Sequence, residues 1–273
     1  MSELVQIRIG GHQTGLGATC RVDDWKTGPT ATFLGLSAFI VYSTWAALQG
    51  SHYYAGPYLS PMYSPVIWTD LSQLGAAPLE HALLGAWPQW WPSFIPATPA
   101  ALILIFPGSF RFTCYYYRKA YYRAFAMTPP GCAVGARPQG QYKGETALLI
   151  FQNLHRYALY FAIAFIFILY YDALLAFKKD GEFGFGVGTL ILLINPTLLG
   201  AYTFGCHSWR HLIGGGINLH SKFPMRHQLW KLASYLNERH MRFAWLSLFW
   251  VAFTDVYVRL VSMGVITDLN TWG

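Results

Sequence analysis

Four side chains of this sequence have the chemistry to act together as ligands: Cys114 in "FRFTCYYYRKAYYRAF", His155 in "NLHRYALYF", Cys206 in "FGCHSWRH" and His240 in "NERHMRFAW". Two imidazoles suit a haem iron, whereas two thiolates with two imidazoles suit tetrahedral zinc or a Rieske-type two-iron centre, in which two His replace two Cys on one iron. The loop signature of soluble Rieske domains is absent, so everything depends on the elements that bring the four together. Each candidate has a cation beside it: Arg111 and Arg118 around Cys114, Arg156 after His155, Arg210 after Cys206, and Arg239 and Arg242 around His240. Three- and four-residue spacing predicts that Arg111, Cys114 and Arg118 share one helical face. Taken singly, a Cys in an apolar helix behaves as a small hydrophobe, and an Arg at a membrane boundary snorkels. Four such residues on four helices form a set that a helix bundle can aim at one point. His207 and His211 are an i, i+4 pair that stands in reserve for His240.

The elements that must position these residues are membrane helices. Of the 273 residues, 54% are hydrophobic and only 11% charged, against about a quarter charged in soluble domains. Several apolar runs approach the roughly 20 residues that cross a bilayer. The expected fold is an all-α integral membrane protein with five transmembrane helices, at about Ala31–Leu48, Ala100–Tyr117, Tyr157–Phe177, Val187–Trp209 and Met241–Val258, four of them forming a cofactor-binding bundle. Residues 1–30 read as a polar cytoplasmic tail, with no secretory-signal order, and residues 31–273 as the membrane domain. "FPMRHQLWKLASYLNERH" has a helical period expected to run into the fifth span.

Charge sets the orientation. Arg118, Lys119, Arg123, Arg137 and Lys143 lie between spans two and three; Arg210, Lys222, Arg226, Lys231, Arg239 and Arg242 lie between spans four and five; residues 50–99 have no Lys or Arg. Cationic loops stay inside, which puts the N-terminus in the cytoplasm, the C-terminus outside, and all four candidate ligands near the inner boundary. The net charge of +7 is therefore a topology signal and a docking face for soluble subunits, not a nucleic-acid surface. The outer "WPQWWPSFIPATP" mixes Trp and Pro as an interfacial cap does. "LINPTLL" puts Asn195 and Pro196 mid-span, where a kink is expected.

Asp172, Asp255 and Arg259 fall toward the outer side, Asp255 about 22 Å of helix beyond His240. Ionisable groups at that depth are functional candidates by default; the alternative for Asp255 and Arg259 is a buttressing i, i+4 pair. Other classes fit less well. A disulfide oxidoreductase needs paired Cys on the oxidising side, but Cys20, Cys114, Cys132 and Cys206 all fall at or inside the cytoplasmic boundary. A desaturase needs more clustered His, and a transporter leaves the Cys/His set unexplained.

The four quoted segments, on five spans with a basic inner face, resemble the membrane-anchor subunit of succinate dehydrogenase (succinate:quinone oxidoreductase), of the actinobacterial, mycobacterial type, over essentially the whole chain. The resemblance implies a bacterial plasma-membrane complex. In it a flavoprotein oxidises succinate, an iron–sulfur subunit relays electrons, and the anchor, which has no succinate-oxidising site, delivers them to a quinone such as menaquinone. Many relatives bind two haems b through four helix histidines; here the outer half offers only His52 and His81, in or beside the outer loop. In the branch resembled, a Rieske-type 2Fe-2S cluster sits in the membrane subunit, which fits Cys114, His155, Cys206 and His240, with a haem b as the alternative. Such a centre is neutral when oxidised and anionic when reduced, so Arg111, Arg118 and Arg156 would favour reduction. Quinone is expected near Asp172, Asp255 and Arg259, with an inner site by Tyr115, Trp209 and His211 as the rival.

This orientation makes a direct prediction: a membrane-impermeant thiol reagent applied to intact cells leaves Cys20 and Cys132 unlabelled. Rapid labelling of either would invert the topology.

Overall fold

The computed structural model describes residues 15–137 and 146–272; Lys143, part of the charge reading above, and the first fourteen residues of the expected tail lie outside them. The protein is a helical membrane bundle, and among the described residues four helices are long and apolar enough to cross a bilayer: α1 (Thr27–Gln49), the Gln152–Leu175 part of α5 (Thr146–Leu175), α6 (Val187–Phe204) and α9 (His240–Ser262). α1 starts where Asp24 accepts from the Thr27 backbone N–H at 3.4 Å and stops at Gly50, whose φ of 64° is a left-handed cap that glycine adopts without Cβ strain. On α5 the buried residues His155, Ala158, Leu159, Ala162, Ile166, Leu169 and Ala173 recur at three- and four-residue steps, one continuous stripe. Its alanines let α3 and α6 approach closely, as small residues do where lipid gives helices no hydrophobic drive to associate.

Three helices expected to be continuous are broken. The stretch predicted as the second span is α2 (Pro99–Ile103), α3 (Ile105–Thr113) and α4 (Tyr115–Ala120), followed by a π turn at Tyr121–Phe125. Pro107 explains the first break, because it has no N–H for the Ile103 carbonyl and its ring would clash there. The second break is at Cys114. The fourth predicted span ends at Phe204, not Trp209: Pro196 is absorbed within α6, and the chain breaks at Gly205–Cys206 before α7 (His207–Gly214). α8 (Pro224–Glu238) does not run into α9, since Arg239 at φ −107°, ψ 11° separates them. Apolar periodicity continues across each break, so the pattern alone does not reveal it.

Residues 50–98 fold over one end of the bundle. A small antiparallel hairpin pairs Tyr54–Ala55 with Tyr58–Leu59, Tyr53 and Tyr63 stack at 4.2 Å, and Trp68, Trp87 and Trp91 pack within 5.3–6.3 Å of one another. The cap is fastened to α1 and α9 by one ion pair. Arg259 Nε donates to Asp255 at 2.7 Å, with both side chains buried (4% and 0% exposed). The same carboxylate accepts from Tyr42 at 2.6 Å and from Ser60, while the guanidinium donates to the Ser51 and Ala46 carbonyls at 2.9 and 3.0 Å. Asp255 and Arg259 thus have the environment of the buttressing alternative.

Because removing one member leaves an unpaired buried charge, Asp255→Asn or Arg259→Met should cost about 3–5 kcal/mol, whereas Tyr42→Phe, which removes one hydrogen bond to a charged group, should cost about 1.5–3 kcal/mol. Thermal unfolding of the detergent-solubilised complex checks the order; unfolding at the wild-type temperature in Asp255→Asn would show that the pair does not hold the cap.

Candidate functional site

The two buried cysteines are set by the same backbone device. Cys114 stands between α3 and α4 at φ −64°, ψ 131°, and Cys206 between α6 and α7 at φ −68°, ψ 143°. Each is an extended residue heading the next short helix. Such a residue turns its side chain toward the first-turn N–H groups of that helix, and Cys206 Sγ accepts the Ser208 N–H at 3.4 Å. The break leaves backbone groups in need of partners: Cys114 N–H donates to the Arg111 carbonyl at 3.2 Å, and Asn237 Nδ2 on α8 donates to the Gly205 carbonyl at 2.8 Å.

The histidines meet these thiols. His155 Nε2, from the middle of α5, lies 3.0 Å from Cys206 Sγ, and His240 Nε2, at the first residue of α9, lies 3.6 Å from Cys114 Sγ. Thr113 Oγ1 is 2.9 Å from His155 Nδ1 and gives its own proton to the Ser109 carbonyl at 2.8 Å. Its oxygen therefore accepts from Nδ1–H, which fixes the tautomer with the Nε2 lone pair toward sulfur. Phe110 stacks on His155 at 4.5 Å, Tyr202 stacks on His240 at 4.9 Å, and Phe110 meets Tyr202 edge-on at 5.5 Å. Both thiols and both of these aromatic residues lie in one buried core cluster. The arrangement is two Cys–His contacts and not one cage: among the described residues no three of His, Cys, Asp and Glu are gathered tightly enough to hold one ion.

Of the predicted cations, Arg111 joins this core. Its guanidinium donates to the Tyr117 hydroxyl at 2.7 Å, the Ala244 carbonyl at 3.2 Å and Ser247 Oγ at 2.9 Å, and lies 4.8 Å from the Tyr202 ring centroid. All these partners are neutral, and among the described residues the three ion pairs that form do not include it. Arg118 is directed elsewhere, over the Tyr115 and Tyr122 rings, because the break at Cys114 cancels the shared helical face that the spacing predicted. Arg156, Tyr115, His207 and His211 are exposed, and Trp209 packs partly buried against the core and Phe204. The sequence reading missed Thr113, Phe110, Tyr117 and Tyr202, all of them within or directly beside the quoted motifs; a Thr or Tyr in an apolar helix carries no ligand signature by itself.

A cavity of about 180 Å³ opens beside the core, with Phe110, Arg111 and Tyr202 at one end and Met62, Leu169 and Val251 among its other walls. Asp172, one turn beyond Leu169 on α5, accepts from Ser64.

Long apolar helices around a buried thiol–imidazole core define a multi-pass membrane protein with a polar centre of chemical use. Residues 27–264 match the family of the actinobacterial succinate dehydrogenase subunit SdhC, and the chain belongs to that family. It is similar to a chain in the structure of the Mycobacterium smegmatis Sdh1 complex in the apo form, with 44% identity, a TM-score of 0.83, and coverage of 93% of this chain and 94% of that one. No curated protein matches it.

Thr113→Val removes the acceptor that orients His155. A buried donor left without its partner costs about 1–3 kcal/mol, so this variant should unfold at a lower temperature than the wild type in the detergent-solubilised complex. An unchanged unfolding temperature would free His155 from this constraint.

Proposed function

We propose that the chain is the membrane anchor of a succinate dehydrogenase, associated with a flavoprotein and an iron–sulfur subunit, and that it carries electrons through a Rieske-type 2Fe-2S centre held by Cys114, His155, Cys206 and His240 to a quinone, menaquinone in the first instance. One observation carries the reading: four ligand-type side chains from separate helical segments form two Cys–His contacts whose thiols lie in one buried core. Bound there, such a centre supplies a one-electron carrier between the soluble subunits and the quinone. Two thiols and two imidazoles are the donor set of a Rieske-type centre; each contact here pairs one Cys with one His, so binding such a centre requires the two imidazoles to turn to one iron and the two thiolates to the other. Arg111 supports the same assignment, because an uncompensated cation in an apolar interior is costly and favours whichever state of a neighbouring group is more negative. A bis-histidine haem b is less well accommodated, since Phe110 and Tyr202 cover the imidazole faces and each Nε2 faces a thiol instead of a shared axis.

In this reading α2 to α4, from Pro99 to Ala120, make the fifth crossing in spite of their breaks. The tail expected at residues 1–30, now ending where α1 begins at Thr27, is cytoplasmic, and the C-terminus lies outside. The quinone headgroup enters the cavity beside Arg111, between the two regions favoured by the sequence. On the outer side Asp255 and Arg259 are already saturated by their own hydrogen bonds, which leaves Asp172, bonded to Ser64 one turn beyond the cavity wall at Leu169, as the remaining outer candidate. On the inner side Tyr115, His211 and Arg156 belong to the partner-facing surface.

Replacing either thiolate by a harder hydroxyl removes a soft ligand that iron needs, whereas a Cys that only packs would lose little. Cys114→Ser and Cys206→Ser should each abolish or alter the spin resonance of the reduced complex and block succinate-to-quinone transfer, with assembly and dye reduction intact. His155→Ala and His240→Ala should do likewise. Full quinone activity in both Cys variants, with loss of a haem absorption band in both His variants, would replace the Rieske centre with a single haem b.

A further inference from the structure

We propose that Cys20 and Cys132 form a peroxide-oxidisable thiol pair at the end of the bundle where α1 begins. The chemistry described so far uses neither residue. Both thiols are free and exposed, and they stand on two chain segments that are bonded to each other. The Gly17 N–H donates to the Gly135 carbonyl at 3.0 Å, and the Gly135 N–H to the Ala18 carbonyl at 2.7 Å. Thr19 Oγ1 then donates to the Ala133 carbonyl at 2.7 Å, and Arg21 Nη1 to the Cys132 carbonyl at 2.9 Å. Cys20 lies between the last two contacts. Gly135 permits this approach, since a Cβ there would fall 2.0 Å from the Gly15 carbonyl oxygen, and Ala133 turns the chain at φ 55°. The contacts on either side of Cys20 hold its segment against the one that carries Cys132, and forming the bridge needs the two Cα atoms at roughly 4.4–6.8 Å.

The two thiols are not equivalent. Arg123 Nη2 lies 3.4 Å from Cys132 Sγ. This contact, followed by the charges of Arg123, Arg21 and Lys119, holds the Cys132 thiol below its ordinary pKa. The thiolate is the nucleophilic form and guanidinium neighbours favour it, so Cys132 is the residue that attacks and Cys20 the one that resolves.

The chemistry balances with a hydroperoxide as oxidant. Cys132 thiolate attacks one peroxide oxygen, the S–O bond forms, the O–O bond breaks, and hydroxide leaves and takes a proton to become water. The Cys20 sulfur then attacks the sulfenic sulfur and displaces a second hydroxide, which takes the Cys20 proton. Two thiols and one hydrogen peroxide give one disulfide and two waters. The bridge would pin the segment leading into α1 to the turn that follows α4 and the π segment, elements already in contact through Phe33 and Phe125 at 5.0 Å. With this end in the reducing cytoplasm, as the orientation given above has it, the bond is transient and redox-sensing, the kind of disulfide that compartment allows.

The test uses the intact complex exposed to hydrogen peroxide at a few equivalents, then alkylated and mapped by mass spectrometry without reduction. The expected product joins the peptides of Cys20 and Cys132 and is released by dithiothreitol. In a Cys20→Ser complex the oxidised Cys132 should instead be captured by dimedone, and Arg123→Gln should slow that capture several-fold. Succinate-to-quinone activity of untreated Cys20→Ser stays at the wild-type value, which separates this proposal from the cofactor reading. Retention of two free, alkylated thiols after peroxide, or absence of dimedone capture in Cys20→Ser, overturns it.

Discussion

The interior of a bilayer contains no water to satisfy a backbone that leaves the helix, and that constraint governs how this protein can present a thiol. A cysteine inside an intact helix has its sulfur directed by the helix. To aim it elsewhere the chain must open, and every carbonyl and N–H released must find a partner in protein. Both openings follow this rule. The Gly205 carbonyl is taken by Asn237 from a helix on the far side of a loop, and the Arg111 carbonyl at the end of α3 is taken by the Cys114 N–H. The gap at Cys206 is narrow enough that a Cβ on Gly205 would come within 2.8 Å of the Ala201 carbonyl, so the glycine in "FGCHSWRH" is part of the device that exposes the sulfur.

Two buried arginines show how differently one side chain can be used. Arg259 is neutralised by Asp255 and surrounded by carbonyls; it is a fastener, and its charge is spent on the cap. Arg111 has hydroxyls, one carbonyl and aromatic faces, and no carboxylate. Its field therefore extends into the thiol–imidazole core and the adjoining cavity. Hydrogen bonds from neutral groups hold the guanidinium in place without cancelling it, which is the condition for a fixed charge to bias a redox couple beside it.

Much of this was legible in the sequence, and the misses share a cause. Composition and the run of apolar segments are enough to read an all-helical membrane protein, because a helix is the form in which a single apolar segment satisfies its backbone in lipid. Cys114, His155, Cys206 and His240 could be singled out because a membrane makes such residues expensive, and the structure does place them in pairs. The breaks at Cys114 and Arg239 were illegible, since neither Pro nor Gly marks them and hydrophobicity runs on unchanged. For the same reason Arg118 was assigned to a face it does not share. Asp255 and Arg259 look alike as a working site and as a clamp until the hydroxyls of Tyr42 and Ser60, far away in sequence, are seen to close around them.

The pairing of Cys114 with His240 spans 126 positions of chain, and that of Cys206 with His155 spans 51. A ribosome inserting this protein into the membrane releases His155 and Cys206 long before the last helix exists, and until His240 emerges the thiol of Cys114 has no imidazole opposite it. The four-residue core therefore cannot be complete on a nascent chain. If the four residues hold a metal centre, as proposed, it would be loaded only once α9 has settled against α6, and a chain truncated before α9 would enter the membrane yet never be filled.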